Sequence, residues 1–231
     1  MRIISKLFLF SSLFLFTPAC SQKTELPSIF DNPVASPGKK PKKSAKVSFY
    51  KLKLPSVDAT FKELQTLDGR IVRTRNNLKK SRKSVHSIKN GDIKSLRKEI
   101  GRLVANGTIR VTKKNNLPSL SYNKEKGNTR SLAIFQSVKN MERTLRTAKT
   151  DLPAMQKDLQ RLKKKTKRAV KKAPNEVQKA ISTGVLKPTQ LNNTMLNTRS
   201  NLKQVRNIPV HIDQLTEEIK LTTKMFRNLF R

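Results

Sequence analysis

This chain of 231 residues holds one cysteine, no tryptophan, two histidines and only 15 acidic residues. Each scarcity removes a class of chemistry. A lone thiol, Cys20, cannot close a disulfide within the chain. His86 and His211 have no second histidine, cysteine or carboxylate at ligand spacing, apart from Asp213 beside His211, and residues two apart on a helix do not share a face. The 7 glycines form no phosphate-cradling array, and no serine sits in a nucleophile-elbow sequence. No catalytic residue, metal site or cofactor is therefore expected, and the chain does not read as an enzyme. Aromatics at 5% and hydrophobics at 35% also argue against a large globular core.

What the chain has in excess is positive charge. Its 51 lysines and arginines give a formal net charge of +36 and a pI near 11.0. Charge of this size repels itself and attracts polyanions. Stability must come from helix packing, from self-association or from a bound partner.

The amino terminus reads as an export signal. Arg2 and Lys6 make a basic start, residues 7–16 an apolar run, and Thr17, Pro18 and Ala19 a small-residue cleavage site. The run is shorter than the ~20 residues a membrane span requires. Cys20 directly after the cut resembles the bacterial lipoprotein signal. That resemblance covers residues 1–21 and implies a signal peptide over 1–19, with diacylglycerol on the Cys20 thiol and a third acyl chain on its freed amine. The lipid bilayer is then the first partner. Thr17 stands where most such signals carry leucine. Thr17 and Ala19 also suit ordinary signal peptidase, which would leave Cys20 bare. Ser21 replaces the aspartate that retains enterobacterial lipoproteins at the inner membrane, which leans towards the outer membrane, facing the periplasm or the surface. Two or more acyl chains, at ~0.8 kcal/mol per buried methylene, anchor a protein durably.

Residues 20–56 read as a disordered basic tether. Pro27, Pro33, Pro37, Pro41 and Pro55 punctuate it, and Lys39, Lys40, Lys42, Lys43 and Lys46 cluster within it. Residues 57–231 read as a helical, coiled-coil-like domain. Val57, Phe61, Leu64, Leu67, Ile71, Leu78, Val85 and Ile88 recur at helical spacing until the turn residues Asn90 and Gly91. Asp92 is placed to cap a shorter helix ending at Asn106 and Gly107. Over 108–128 the period is lost. A short strand over 108–112 is the only β structure expected, with a loop after it.

The clearest periodicity lies over 131–173. Val138, Leu145, Leu152, Leu159 and Thr166 form one seven-residue ladder; Ile134, Met141, Ala148, Met155, Leu162 and Ala169 form the other. Pro153 predicts a kink, and Pro174 the start of a separate short helix ended by Gly184. A last long helix is expected from Thr189, bent at Pro209. The fold class is all-α: an elongated bundle or coiled coil of kinked long helices. The seams suit packing within the chain or a homo-oligomer, and periodicity does not choose between them.

One feature points to function. Arg161, Lys163, Lys164, Lys165, Lys167, Arg168, Lys171 and Lys172 fill the circumference around the stripe Leu159, Leu162, Thr166 and Ala169, and no acid lies between Asp158 and Glu176. The run predicts an anionic polymer as partner: lipid head groups, lipopolysaccharide, a wall polymer, a sulfated glycan or nucleic acid. It has no aromatics for base stacking, so binding would be independent of sequence. The expected role is that of an anchored structural or adhesive lipoprotein. A periplasmic holdase with basic helical arms is the alternative, and would show an open apolar cavity and a defined oligomer.

Overall fold

The stripe that begins at Val57 winds into helix α1 (Pro55–Ser87) in the computed structural model, which describes residues 47–114 and 116–230. The expected signal peptide over 1–19, Cys20 and the lysines of 39–46 lie outside the described residues. After α1 come α2 (Ile93–Ala105), strands β1 (Ile109–Lys114) and β2 (Leu117–Tyr122), and the long helix α3 (Thr129–Ser182). A 3₁₀ turn at Pro188–Gln190 leads into α4 (Leu191–Val205) and then α5 (Asn207–Asn228). The described chain is all-α apart from one hairpin.

The helix boundaries follow local chemistry. Pro55 opens α1, where its missing N–H would have no partner in any case. Asn90 and Gly91 both adopt positive φ, at 48° and 93°, and turn the chain out of α1. The Asp92 side chain accepts from the Ser95 amide at 3.0 Å and so caps α2. Asn128 caps α3: its side chain accepts from the Ser131 amide at 2.8 Å, and the Ser131 hydroxyl accepts from the Asn128 amide at 2.8 Å.

Four expectations need correction. The β structure is not confined to 108–112, because β2 pairs antiparallel with β1, Ile109 opposite Tyr122 and Lys114 opposite Leu117. Asn116 turns the hairpin at φ 57°. The second strand has no two-residue alternation: Leu117 and Leu120 are buried, three apart, and Pro118 sits opposite Lys113. Pro174 does not start a new helix, since α3 runs through both Pro153 and Pro174 to Ser182. Each proline removes one backbone donor, at a cost of ~3 kcal/mol. Around Pro174 the buried Val170, Ala173, Val177 and Ala180 supply packing that holds the helix together. The break falls instead between α4 and α5. Pro209 has no N–H for the Val205 carbonyl, and α4 ends at Val205. Beginning α5 at Asn207 puts Pro209 in a first turn, where the missing donor costs nothing.

The fourth correction concerns the tether. Residues 47–56 belong to the packed domain: Val47, Leu52 and Leu54 are buried, and Phe49 stacks on Phe61 with ring centroids 5.0 Å apart. Buried Asn201 reads the Tyr50 backbone from both sides, accepting from its N–H at 2.8 Å and donating to its carbonyl at 2.8 Å. The Asp58 carboxylate accepts from the amides of Leu52 and Leu54, tying this extended segment to the first turn of α1. The end of a stretch read as a tether is held because its apolar residues meet a core and its backbone meets side-chain partners.

The described residues group into two compact units. The first comprises residues 47–67 and 159–209, and its core includes Leu54, Phe61, Leu64, Leu159, Leu162, Ala169, Val177 and Val205. The second comprises residues 68–158 and 210–230. Its core includes Ile71, Leu78, Val85, Ile134, Val138, Met141, Leu145, Met155, Leu215 and Phe226. Both seven-residue ladders are thus buried inside a single chain, with Leu152 only half-buried.

Glu142 of α3 holds the hairpin of the second unit. Its buried carboxylate accepts from the Leu120 amide at 3.1 Å, the Lys139 ammonium at 2.8 Å and Arg146 Nε at 2.9 Å. Arg146 then donates to the carbonyls of Lys114 at 2.9 Å and Pro118 at 3.1 Å, and Lys139 to that of Leu120 at 2.7 Å. Burial acts to raise the Glu142 pKa, but Lys139, Arg146 and the Leu120 amide outweigh it and hold the carboxyl below the ordinary glutamate range.

Asn201 and Glu142 each carry a testable consequence. Asn201→Ala leaves the Tyr50 amide and carbonyl without their partner and should cost about 1–3 kcal/mol in urea unfolding, with diminished exchange protection at Tyr50. Unchanged stability and protection would show that residues 47–54 are held without it. Glu142 stabilises the fold above its unfolded pKa, and that contribution disappears as pH falls through the lowered folded value. Glu142→Gln should therefore destabilise the protein at pH 7 by about 1–3 kcal/mol and remove that part of the acid dependence. Equal destabilisation at neutral and acidic pH would contradict the assignment.

Candidate functional site

The predicted basic run lies on the part of α3 that belongs to the first unit. Its inward stripe is Leu159, Leu162, Thr166 and Ala169, all buried and joined by Val170 and Ala173. The Thr166 hydroxyl donates to the Leu162 carbonyl at 2.8 Å, so this polar residue is satisfied within the helix. Arg161, Lys164, Lys165, Lys167, Arg168, Lys171 and Lys172 are exposed, and Lys163 is half-buried on the flank.

The structure divides these eight cations into two kinds. Lys165 forms an ion pair with Glu63 of α1, and Arg161 and Lys163 also have interaction partners. Lys164, Lys167, Arg168, Lys171 and Lys172 make no ion pair among the described residues. Their spacing is i, i+3, i+4, i+7 and i+8, which is one face of an α-helix. At 100° per residue this face lies opposite the buried stripe, and it extends ~12 Å along the axis. Five neighbouring charges of one sign with no intervening carboxylate make a compact electropositive ridge.

Two carboxylate engagements are hidden from a sequence reading because the partners lie far apart in the chain. Glu63 neutralises Lys165 across 102 residues. Glu176, at the end of the run, turns to α1, where it accepts from the Ser56 amide at 3.3 Å and from the Ser56 hydroxyl. It serves the amino-terminal turn of α1, where a negative charge is favoured, and leaves the ridge uncompensated.

Both histidines singled out in the sequence lie in the second unit. His211 meets Asp68, not Asp213: Nδ1 lies 2.5 Å from the Asp68 carboxylate and both side chains are buried. Arg75 bonds to Gln214, and Arg82 pairs with buried Glu218 at 2.7 Å. These interactions fasten α1 to α5 within that unit. His86 lines an open cavity with Arg82 and Lys83.

Comparison with protein-family models, curated proteins and solved structures finds no match for this chain. Among the described residues, no helix is long and apolar enough to cross a membrane.

Proposed function

We propose that the protein is a lipoprotein, anchored to a bacterial membrane through acylated Cys20, which holds an anionic polymer on the exposed ridge of α3. The observation that carries this reading is the ridge itself: five exposed cations on one helical face, without an ion pair among the described residues. Repulsion along such a face is relieved when an extended polyanion displaces the counterions around it. The ridge has no aromatic side chains, so recognition is by charge density and not by base or sugar identity. The terminal segment supports the anchor through its basic start, its short apolar run and the sole cysteine at the junction. The role is structural or adhesive, tying an envelope or host polymer to the membrane surface.

Changing Lys164, Lys167, Lys171 and Lys172 together to glutamine removes four charges while leaving the buried stripe intact, and glutamine is close to lysine in helix propensity. Affinity of the parent for a nucleic acid should fall linearly with salt on logarithmic axes. The slope should flatten in the variant by about 0.7–0.9 for each phosphate that is no longer neutralised. Heparin and anionic vesicles should show the same ordering. If the variant binds all three as tightly as the parent, the ridge is a solvated surface and the reading fails.

The anchor has its own test. Cys20→Ser expressed in a bacterium should move the protein from the detergent phase to the aqueous phase and abolish labelling by radioactive palmitate. Unaltered partition would remove the lipoprotein reading.

A further inference from the structure

A second concentration of cations lies in the other unit, drawn from positions too scattered to stand out in sequence. Two cavities, of about 600 and 510 Å³, share Lys149 of α3 in their walls. Lys114 at the end of β1, with Arg143 and Arg146 of α3, lines the first. Lys220, Lys224 and Arg227 of α5 line the second. Among the described residues, Glu142 is the one carboxylate in either wall, and Lys139 and Arg146 already occupy it, while Lys220 pairs with Glu217 at 2.7 Å.

Two arginines of the cluster are held by hydrogen bonds. Arg146 is fixed by Glu142 and by the hairpin carbonyls of Lys114 and Pro118. Arg227 reaches across to the Asn116 carbonyl at 3.4 Å. The protein around the Lys149 ammonium, with the like charges of Arg227 and Arg146, holds that lysine below the ordinary lysine range. In the second wall, Thr223 keeps a buried hydroxyl oxygen without a hydrogen-bond partner among the described residues. Like charges gathered around two cavities that share Lys149 repel one another until an anion enters.

We propose that this cluster is a discrete binding site for a phosphate group, centred on Lys149, with Arg227 and Lys224 as its principal partners from α5. A phosphate dianion matches the site in charge and offers several acceptor oxygens to converging ammonium and guanidinium donors. Each cavity is far larger than the ~30 Å³ share of a water molecule, so there is room for a phosphate carried on a larger group. The site goes beyond polymer binding by the α3 ridge: it uses none of the ridge residues and saturates with one phosphate group per chain.

The test is calorimetric titration of the full mature chain with inorganic phosphate at about pH 8, where the dianion prevails because its second pKa is ~6. Ionic strength is held constant with chloride. The expected result is one saturable event, weakened about tenfold or more by Lys149→Gln and by Arg227→Gln and unchanged in the four-glutamine ridge variant. Phosphate should also raise the melting temperature of the parent, as a ligand of the native state does, and not that of Lys149→Gln. Lys149→Arg keeps the charge and should keep binding, which separates damage to the site from damage to the fold. Phosphatidylcholine vesicles with and without phosphatidic acid then identify the source. Displacement of phosphate only by the acidic vesicles marks a lipid head group; no displacement by either marks a free or soluble phosphate. Absence of saturation, equal affinity in Lys149→Gln, or equal weakening in the ridge variant would overturn the proposal. The last outcome would mean that phosphate sees only overall charge. A ridge variant that binds polymers as tightly as the parent would remove the polymer reading and leave this site standing.

Discussion

Mutual repulsion among the cations is the constraint that the rest of the structure answers. With 51 basic residues against 15 acidic ones, most positive charges cannot find a carboxylate, so the positions of the few carboxylates matter greatly. The described ones are spent mainly at junctions. Asp58 ties the segment before α1 to its first turn, Asp68 and Glu218 join α1 to α5, and Glu142 fastens the hairpin to α3. Glu99 holds both Lys89 and Arg130, which pull its carboxyl below the ordinary glutamate range although burial opposes them. Once these junctions are served, the ridge of α3 keeps no carboxylate partner among the described residues, and around Lys149 the carboxylates of Glu142 and Glu217 are already engaged by Lys139, Arg146 and Lys220. The functional proposals concern what is left after the fold has used its acids.

Helical periodicity makes most of the architecture legible in sequence. The ladders through Ile134, Met141 and Leu145 are buried, and the turn residues Asn90, Gly91 and Gly107 stand where the helices stop. What is not legible is decided by partners far away in sequence. β2 is a strand because β1 lies beside it and Glu142 receives its Leu120 amide, neither of which leaves a two-residue pattern. Residues 47–54 are ordered because Asn201, 151 positions from Tyr50, supplies a backbone-like partner. The prolines share one local rule and behave in two ways. Pro174 is overridden by the buried face around it, whereas the demand Pro209 makes on Val205 is met by starting a new helix. Propensity is a local preference, and packing decides whether it prevails.

The candidate site is legible to the same degree. A contiguous run of lysines and arginines shows its charge and its helical face in sequence. It does not show that Lys165 is neutralised by Glu63, nor that Glu176 is engaged by Ser56. The five cations without an ion pair among the described residues emerge only once those partners are placed. The Lys149 cluster is invisible in sequence for a stronger reason. Its cations come from a strand end and two helices, each interleaved with apolar core positions, and no window of sequence contains more than a few of them.

The two cationic surfaces also differ in how salt should act on them. The ridge on α3 is open to solvent, so its field is screened over the ~8 Å Debye length of physiological salt. It can hold only a ligand that offers many charges at once, through release of many counterions. In the Lys149 cluster the half-buried Arg146 is held by Glu142 and the hairpin backbone, and Lys149, Lys224 and Arg227 stand exposed along two cavities. Partial burial of the Lys149 ammonium and the like charges of Arg227 and Arg146 lower its pKa, so the empty cluster carries a cost that an anion would relieve. An extended polymer therefore suits the ridge and a compact phosphate suits the cluster. On the proposed membrane anchor, a diffuse surface would capture a large partner and a localised one would fix where on the protein a phosphate sits.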